Sequence, residues 1–370
     1  MVEVDPVALS RTVLWGGFVL AMLFGAIAQR THFCTMGAVS DIVNIGDYTR
    51  MRQWALAAGV ATLGFGGLVF AGLIDPAKTL YASNRWLWLS GLVGGLMFGF
   101  GMVLASGCGN KTLVRIGGGS LKSLVVFLVI AIASYATLRG VTAVLRVATV
   151  DRVAVEVAGG ASVPGLLAAA GLDASSAALV AALVVGGALS AWALMTRESW
   201  RLDNLLAGFG LGLVVVGAWW LSGHVGFIAE HPETLEPTFV ATNSGKAEAL
   251  SFTAPVAYTM DWLILFSDKS KVLTLGIVSV LGVIAGSAVM ALANGSFRWE
   301  GFGGVEDVAN HLAGGLLMGV GGVTALGCTV GQGLSGISTL SLTSFVSVAS
   351  IIAGAVLGLR YQLWRLERMA

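Results

Sequence analysis

Runs of about twenty apolar residues recur near 12–29, 53–74, 87–106, 121–145, 175–196, 203–222, 271–293, 307–326 and 343–361, and that recurrence dictates a bundle of helices in a bilayer. A helix rising 1.5 Å per residue needs about twenty residues to cross a hydrocarbon core of about 30 Å. The expected fold is therefore all-α and polytopic, with about nine transmembrane helices in a single integral membrane domain over 1–370. Composition agrees, since 56% of the residues are hydrophobic and only 11% charged, whereas soluble domains carry about 25% charged residues. A formal net charge of +1 without a basic tract or acidic tail excludes a nucleic-acid surface. The first run follows the acids Glu3 and Asp5 and meets no small-residue cleavage site, so it is expected to stay as a permanent helix. Arg360, Arg365 and Arg368 follow the last run and place the C-terminus in the cytoplasm by the positive-inside tendency. An odd number of spans then puts the N-terminus outside.

Several of these runs give way to glycine-rich polar stretches too apolar for a solvent loop and too short to cross: 31–46, 107–120 and 327–342. Such segments are tolerated at membrane depth only where protein or a water-filled cavity satisfies the backbone, so they read as broken or re-entrant helices. Two connections are longer: 146–174 is expected to carry a short interfacial helix, and 223–270 holds the apolar piece PVAYTMDWLILF, which either lies in the interface or dips into the membrane. The 52 glycines suit close helix packing and bends.

An internal repeat organises the chain. Residues 101–108 read GMVLASGC and residues 321–328 read GGVTALGC, identical at five of eight positions and both ending in cysteine after a glycine-rich helix. Two halves, approximately 1–145 and 203–370, separated by an extra span, would insert with opposite topology. That arrangement puts a substrate site near the midplane, between broken helices.

The three cysteines, Cys34, Cys108 and Cys328, are too few and too distant for a paired disulfide framework. A cysteine alone reads as a small buried hydrophobe, but all three fall where an apolar helix gives way to small polar residues. A helix that begins inside the membrane directs unpaired N–H groups and the positive end of its dipole into the cavity, which favours an anion without a buried lysine or arginine. A charged side chain there would cost at least about 2.5–3.5 kcal/mol. A thiol is a soft donor able to meet a sulfur atom; protonated thiols are required, because thiolates would repel an anion. The neighbours Gly107, Gly109, Asn110, Gly327, Thr329 and Gln332 complete the expected substrate-binding set.

His32, His224, His231 and His311 have no metal-ligand spacing with the cysteines, so no metal and no other cofactor is expected. Asp41, Glu306 and Asp307 read as interfacial caps, with a proton or gating role as the alternative. Lys111 and Arg115 either draw an anion to the mouth or anchor a rim by snorkelling. The tryptophans, among them Trp54, Trp86, Trp88, Trp219, Trp220 and Trp364, read as an interfacial belt. No P-loop is present to drive transport with a nucleotide.

The segments FCTMGAVSD, ASGCGNKTLVRIGGGS and FRWEGFGGVEDVANHLAGGLLMGVGGVTALGCTVGQGLSGISTLS resemble the YeeE/YedE family of bacterial sulphur-transport membrane proteins, across both halves. The resemblance implies an hourglass-shaped, pseudo-symmetric helical protein of the inner membrane. It also implies inward passage of thiosulfate through transient hydrogen bonds from three thiols, which in this sequence are Cys34, Cys108 and Cys328. Members are often encoded beside, or joined to, a TusA-like sulfur-carrier protein; this sequence ends at YQLWRLERMA without that domain, so a separate cytoplasmic partner is the expectation. The resemblance leaves a selenium or other sulfur species as an alternative substrate. From the residues alone, a membrane sulfurtransferase carrying a cysteine persulfide and an assembly subunit with packing cysteines are the competing readings, and a non-enzymatic transporter is the leading one.

Overall fold

The computed structural model describes residues 5–232 and 235–369. Its helices are α1 (Pro6–Arg30), α2 (Thr35–Ile45), α3 (Thr49–Phe70), α4 (Trp88–Leu104), α5 (Gly109–Gly117), α6 (Leu121–Arg139), α7 (Val141–Ala148), α8 (Val163–Ala169), α9 (Ala174–Leu194), α10 (Leu202–Leu205), α11 (Leu211–Trp220), α12 (Ala254–Ile264), α13 (Leu275–Ala293), α14 (Val305–Thr324) and α15 (Leu342–Met369). A π-turn at Leu206–Gly210 joins α10 to α11, and another at Leu221–Val225 extends α11. Sheet among the described residues is confined to two antiparallel two-stranded ribbons, Arg85–Trp86 with Val155–Glu156 and Phe227–Ile228 with Thr238–Phe239. The chain is a multi-pass, all-α membrane protein.

Eight helical stretches among the described residues are long and apolar enough to cross a bilayer, where about nine were expected from sequence. The remaining run, 307–326, is also helical, as α14, but Glu306, Asp307, Asn310 and His311 in its first turns make it the least apolar. The expected run 121–145 is shorter than its apolarity suggests. Gly140 ends α6, and α7 then leaves with Val141, Val144, Leu145 and Val147 exposed, an apolar face suited to the membrane interface. Polar caps fix several starts. Asp5 accepts from Val7 N at 2.9 Å ahead of Pro6, and Asp173 accepts from Ser175 N and Ser176 N at 3.2 and 3.3 Å to begin α9.

Four times the chain follows one sequence of elements: a long helix, a break, a short helix and a long helix. The units are α1/α2/α3, α4/α5/α6, α11/α12/α13 and α14, the helical segment 329–338 and α15, with α9 between the second and third. The start of α1 lies on the face that carries the 226–247 connection, where Leu275 N donates to Ala241 O and Ala247 pairs with Thr79. The end of α1 reaches the opposite face, where Arg30 meets Asp203 at 3.1 Å. Helix α15 also ends on that second face, Arg365 bonding Glu306 at 3.0 Å. The two chain ends therefore lie on opposite faces.

Small residues let the long helices touch. A Cβ on Gly286 of α13 would collide with the backbone of Met22 in α1, and one on Gly99 of α4 with that of Ile351 in α15. Gly286→Val should push α1 and α13 apart at an overpacking cost of at least about 1–3 kcal/mol. The expected outcome is a lower melting temperature by tryptophan fluorescence in detergent. Gly187→Val, whose Cβ would meet nothing within 4 Å, should leave that temperature unchanged.

Candidate functional site

Three of the four breaks share one geometry. His32, Ser106 and Leu326 adopt left-handed φ values of 53°, 56° and 60°, and each stands two residues before a cysteine. The residue between closes the helix end, with Phe33 N donating to Ala28 O at 3.2 Å, Gly107 N to Met102 O at 2.8 Å and Gly327 N to Gly322 O at 2.8 Å. These are the six-to-one hydrogen bonds that finish a helix on a left-handed residue. Glycine is the usual occupant, and histidine, serine and leucine there hold strain of about 1–3 kcal/mol each. Arg115 helps to hold the second break, donating from Nη1 to Ser106 O at 2.8 Å.

Each cysteine then becomes the first residue outside a new helix. Cys34 Sγ accepts from Gly37 N at 3.4 Å, and Cys328 Sγ accepts from Gly331 N at 3.4 Å and from Phe252 N at 3.3 Å. Cys108 caps α5 without a side-chain hydrogen bond; its thiol faces Cys34 on one side and Thr329 on the other. All three are free and buried. The thiols thus form a column in the order Cys328, Cys108, Cys34, each at the positive end of a helix.

The fourth break was not visible as a site in the sequence. Ser251, Phe252 and Thr253 precede α12, and Phe252 N reaches Cys328 as described. A Cβ on Gly109 would lie 3.4 Å from Phe252 O, and Gly331 and Gly322 lie against Ser251 and Thr253. The apolar piece of the 223–270 connection therefore dips inward, bringing a fourth helix N-terminus to the column. Its only signals were the polar Ser251 and Thr253 beside Pro255.

Buried polar groups normally have partners, yet Asn110 Oδ1, Thr253 Oγ1 and Thr329 Oγ1 are buried without one. Each belongs to the first residues of a segment that starts at the column. Gly107, Gly109 and Gly327 are buried there as well. Gln332 differs, because both polar atoms of its amide bond protein: Nε2 donates to Ala325 O at 2.6 Å and Oε1 accepts from Ser344 Oγ at 2.5 Å. It holds the third break together, where the helix widens to a π-turn over Gly331–Gly336.

The column meets different surroundings at its ends. Near Cys34 the half-buried Arg50, Lys111 and Arg115 gather on the second face, with Arg50 Nε on Asp41 at 3.3 Å and the His32 side chain exposed. Near Cys328 a cavity of about 260 Å³ opens toward the first face, with Gly327 and Gln332 in its wall. Basic residues at one end and helix dipoles along the middle favour an anion over a cation.

Other expected residues lie elsewhere. His311 Nδ1 is 2.8 Å from Asp307 O and from Asp307 Oδ1, Asp307 Oδ2 accepts from Gly303 N at 3.0 Å, and Glu306 binds Arg365. Trp54 and Trp219 leave the expected interfacial belt: both are buried, Trp54 against Gly333 and Trp219 with Nε1 donating to Ser338 Oγ at 2.9 Å. Among the described residues, no group of three histidine, cysteine or acidic side chains could hold a metal ion.

Residues 30–357 match the family model described as sulphur transport, spanning all four breaks. The chain belongs to this family. Two relatives share its length. "Thiosulfate transporter TsuA" of Spirochaeta thermophila is 26% identical over 360 residues, covering 92% of this chain and 97% of that protein. The protein of the same name from Escherichia coli K12 is 26% identical over 355 residues, covering 93% of each. Membership in the sulphur-transport family makes the protein a transporter rather than an enzyme.

Proposed function

We propose that this protein carries thiosulfate, or a closely related inorganic sulfur anion, across the bacterial inner membrane. The observation that carries this reading is the column of three free, buried thiols at helix N-termini, supported by the name of the two full-length relatives. The anion passes Cys328, Cys108 and Cys34 in turn. Each N-terminus offers backbone N–H groups to its oxygens, and each thiol a soft hydrogen bond to its terminal sulfur. Asn110, Thr253 and Thr329 supply polar atoms to the same ion. Gly107, Gly109 and Gly327 keep the passage narrow by bringing backbone close to it, and Gln332 keeps the third break in shape. Weak donors in series let the ion leave as readily as it binds.

The halves 1–145 and 203–370 act as inverted repeats of one domain in this reading, meeting in an hourglass waist at the column. The arginines in the last turns of α15 favour a cytoplasmic C-terminus, so the cavity beside Cys328 faces outward and the basic end at Cys34 faces the cytoplasm. A TusA-like sulfur carrier would receive the anion there.

The test is growth on thiosulfate as the sole sulfur source of a bacterium lacking its own sulfur importers and expressing this chain, paired with uptake of radiolabelled thiosulfate. Growth and uptake above the empty-vector level are expected. Uptake that unlabelled sulfate suppresses better than unlabelled thiosulfate would overturn the substrate assignment.

A further inference from the structure

The cavity beside Cys328 contains a carboxyl group that the passage of an anion does not explain. Its rim carries the exposed Arg85, Asn243 and Ser244, and its depth the buried Gly327 and Gln332 next to Cys328. An ion reaching Cys328 from the first face crosses this space. Glu248 stands in the wall, half-buried, with Oε1 accepting from Asn243 N at 3.3 Å and Oε2 from Ser244 Oγ at 3.1 Å.

The charged groups around it are committed elsewhere. Arg146 Nε pairs with Asp151 Oδ2 at 3.2 Å, Arg85 Nη2 donates to Asp151 O at 3.2 Å, and Lys246 Nζ donates to Ala82 O at 3.5 Å. The Tyr81 hydroxyl donates to Gly331 O, which fixes the start of the π-turn after Cys328. Tyr258 lines the cavity from α12, with Arg139 and Asp261 behind it. An ionised carboxylate in this wall would confront a divalent anion directly, and a neutral one would offer it a proton donor.

We propose that Glu248 is a proton-operated gate of this vestibule: the neutral carboxyl admits a divalent sulfur anion toward Cys328, and the ionised carboxylate turns it away. The inference rests on the thiosulfate reading above. Burial pushes this acid up to about 7, against smaller opposing hydrogen bonds from Asn243 and Ser244. Burial also holds the Tyr81 and Tyr258 phenols above their usual range, so both stay neutral where Glu248 titrates. Thiosulfate is a dianion throughout this range, so the change in charge belongs to the protein. By linkage, a bound dianion favours protonation as much as protonation favours the dianion.

The sign follows directly. Below the titration point Glu248 is protonated and uptake is fast; as pH rises through it the carboxylate forms and uptake falls. The experiment is initial uptake of radiolabelled thiosulfate into right-side-out membrane vesicles, with the interior buffered and the outside pH varied from about 6 to about 8.5. A group titrating at about 7 predicts a fall of roughly thirtyfold across that range, in step with its protonated fraction. Glu248→Gln keeps a neutral hydrogen-bonding side chain and should flatten the profile at the high level. Ser244→Ala removes a donor to the carboxylate, so the midpoint should move to higher pH. A parent profile that is flat with outside pH, or a Glu248→Gln profile that falls like the parent's, overturns the gate. If Glu248→Gln is absent from the membrane, Ser244→Ala decides, and a midpoint unshifted or moved to lower pH overturns it. Absence of thiosulfate uptake by the parent at every pH overturns the substrate reading and the gate together.

Discussion

Replacing Cys108 with alanine should leave the protein in the membrane at its normal level and melting temperature while thiosulfate uptake falls by roughly 10- to 150-fold. That range corresponds to the loss of one hydrogen bond to a charged group, about 1.5–3 kcal/mol. Stability is spared because the Cys108 side chain caps nothing: α5 begins without a side-chain hydrogen bond from it. The same substitution at Cys328 removes an acceptor for Gly331 N and Phe252 N, so there a transport defect would be mixed with a structural one. Cys108 is thus the thiol at which the column can be tested most cleanly. Cys108→Ser keeps a donor of harder character and should fall between parent and alanine. Uptake by Cys108→Ala equal to the parent, at matched membrane level, would show that the thiol does not meet the ion.

The spans were legible because bilayer thickness leaves little freedom in their length. The three cysteine breaks were legible because SGCGN and LGCTV interrupt long apolar helices with small polar residues, and because one of them repeats the other. What the sequence hid has a common cause, that hydropathy measures composition and not depth. The stretch LSFTAP around Thr253 lacks a cysteine and follows a polar connection, so hydropathy left open whether the helix after it lies in the interface or dips inward. Glu248 sits in that same connection, and only the fold places it in the wall of a cavity. Trp54 and Trp219 break the rule that places tryptophan at the interface, because they pack on the helical segment 329–338, whose glycines leave room for indole rings. Gly140 stopped a helix inside an apolar run, a local backbone effect that a window of mean hydropathy averages away.

Gln332→Leu should behave unlike Cys108→Ala, losing both stability and transport. The side chains are similar in size, so the change is one of hydrogen bonding more than of volume. Gln332 is fully buried and binds both sides of the third break, Ala325 O at the end of α14 and Ser344 Oγ at the start of α15. Leucine leaves the Ser344 hydroxyl without its acceptor and Ala325 O with only the longer bond from Ser347 Oγ at 3.4 Å. An unsatisfied buried group costs about 1–3 kcal/mol, which predicts a fall in melting temperature on the order of 10 °C or less. Transport suffers because Leu326, between Ala325 and Gly327, is held left-handed at φ 60°, and the released strain can rotate Cys328 out of the column. Melting by tryptophan fluorescence, run beside labelled uptake, separates the cases: Cys108→Ala lowers uptake alone, and Gln332→Leu lowers both. A Gln332→Leu protein that melts like the parent yet fails to transport would instead place the amide in direct contact with the ion.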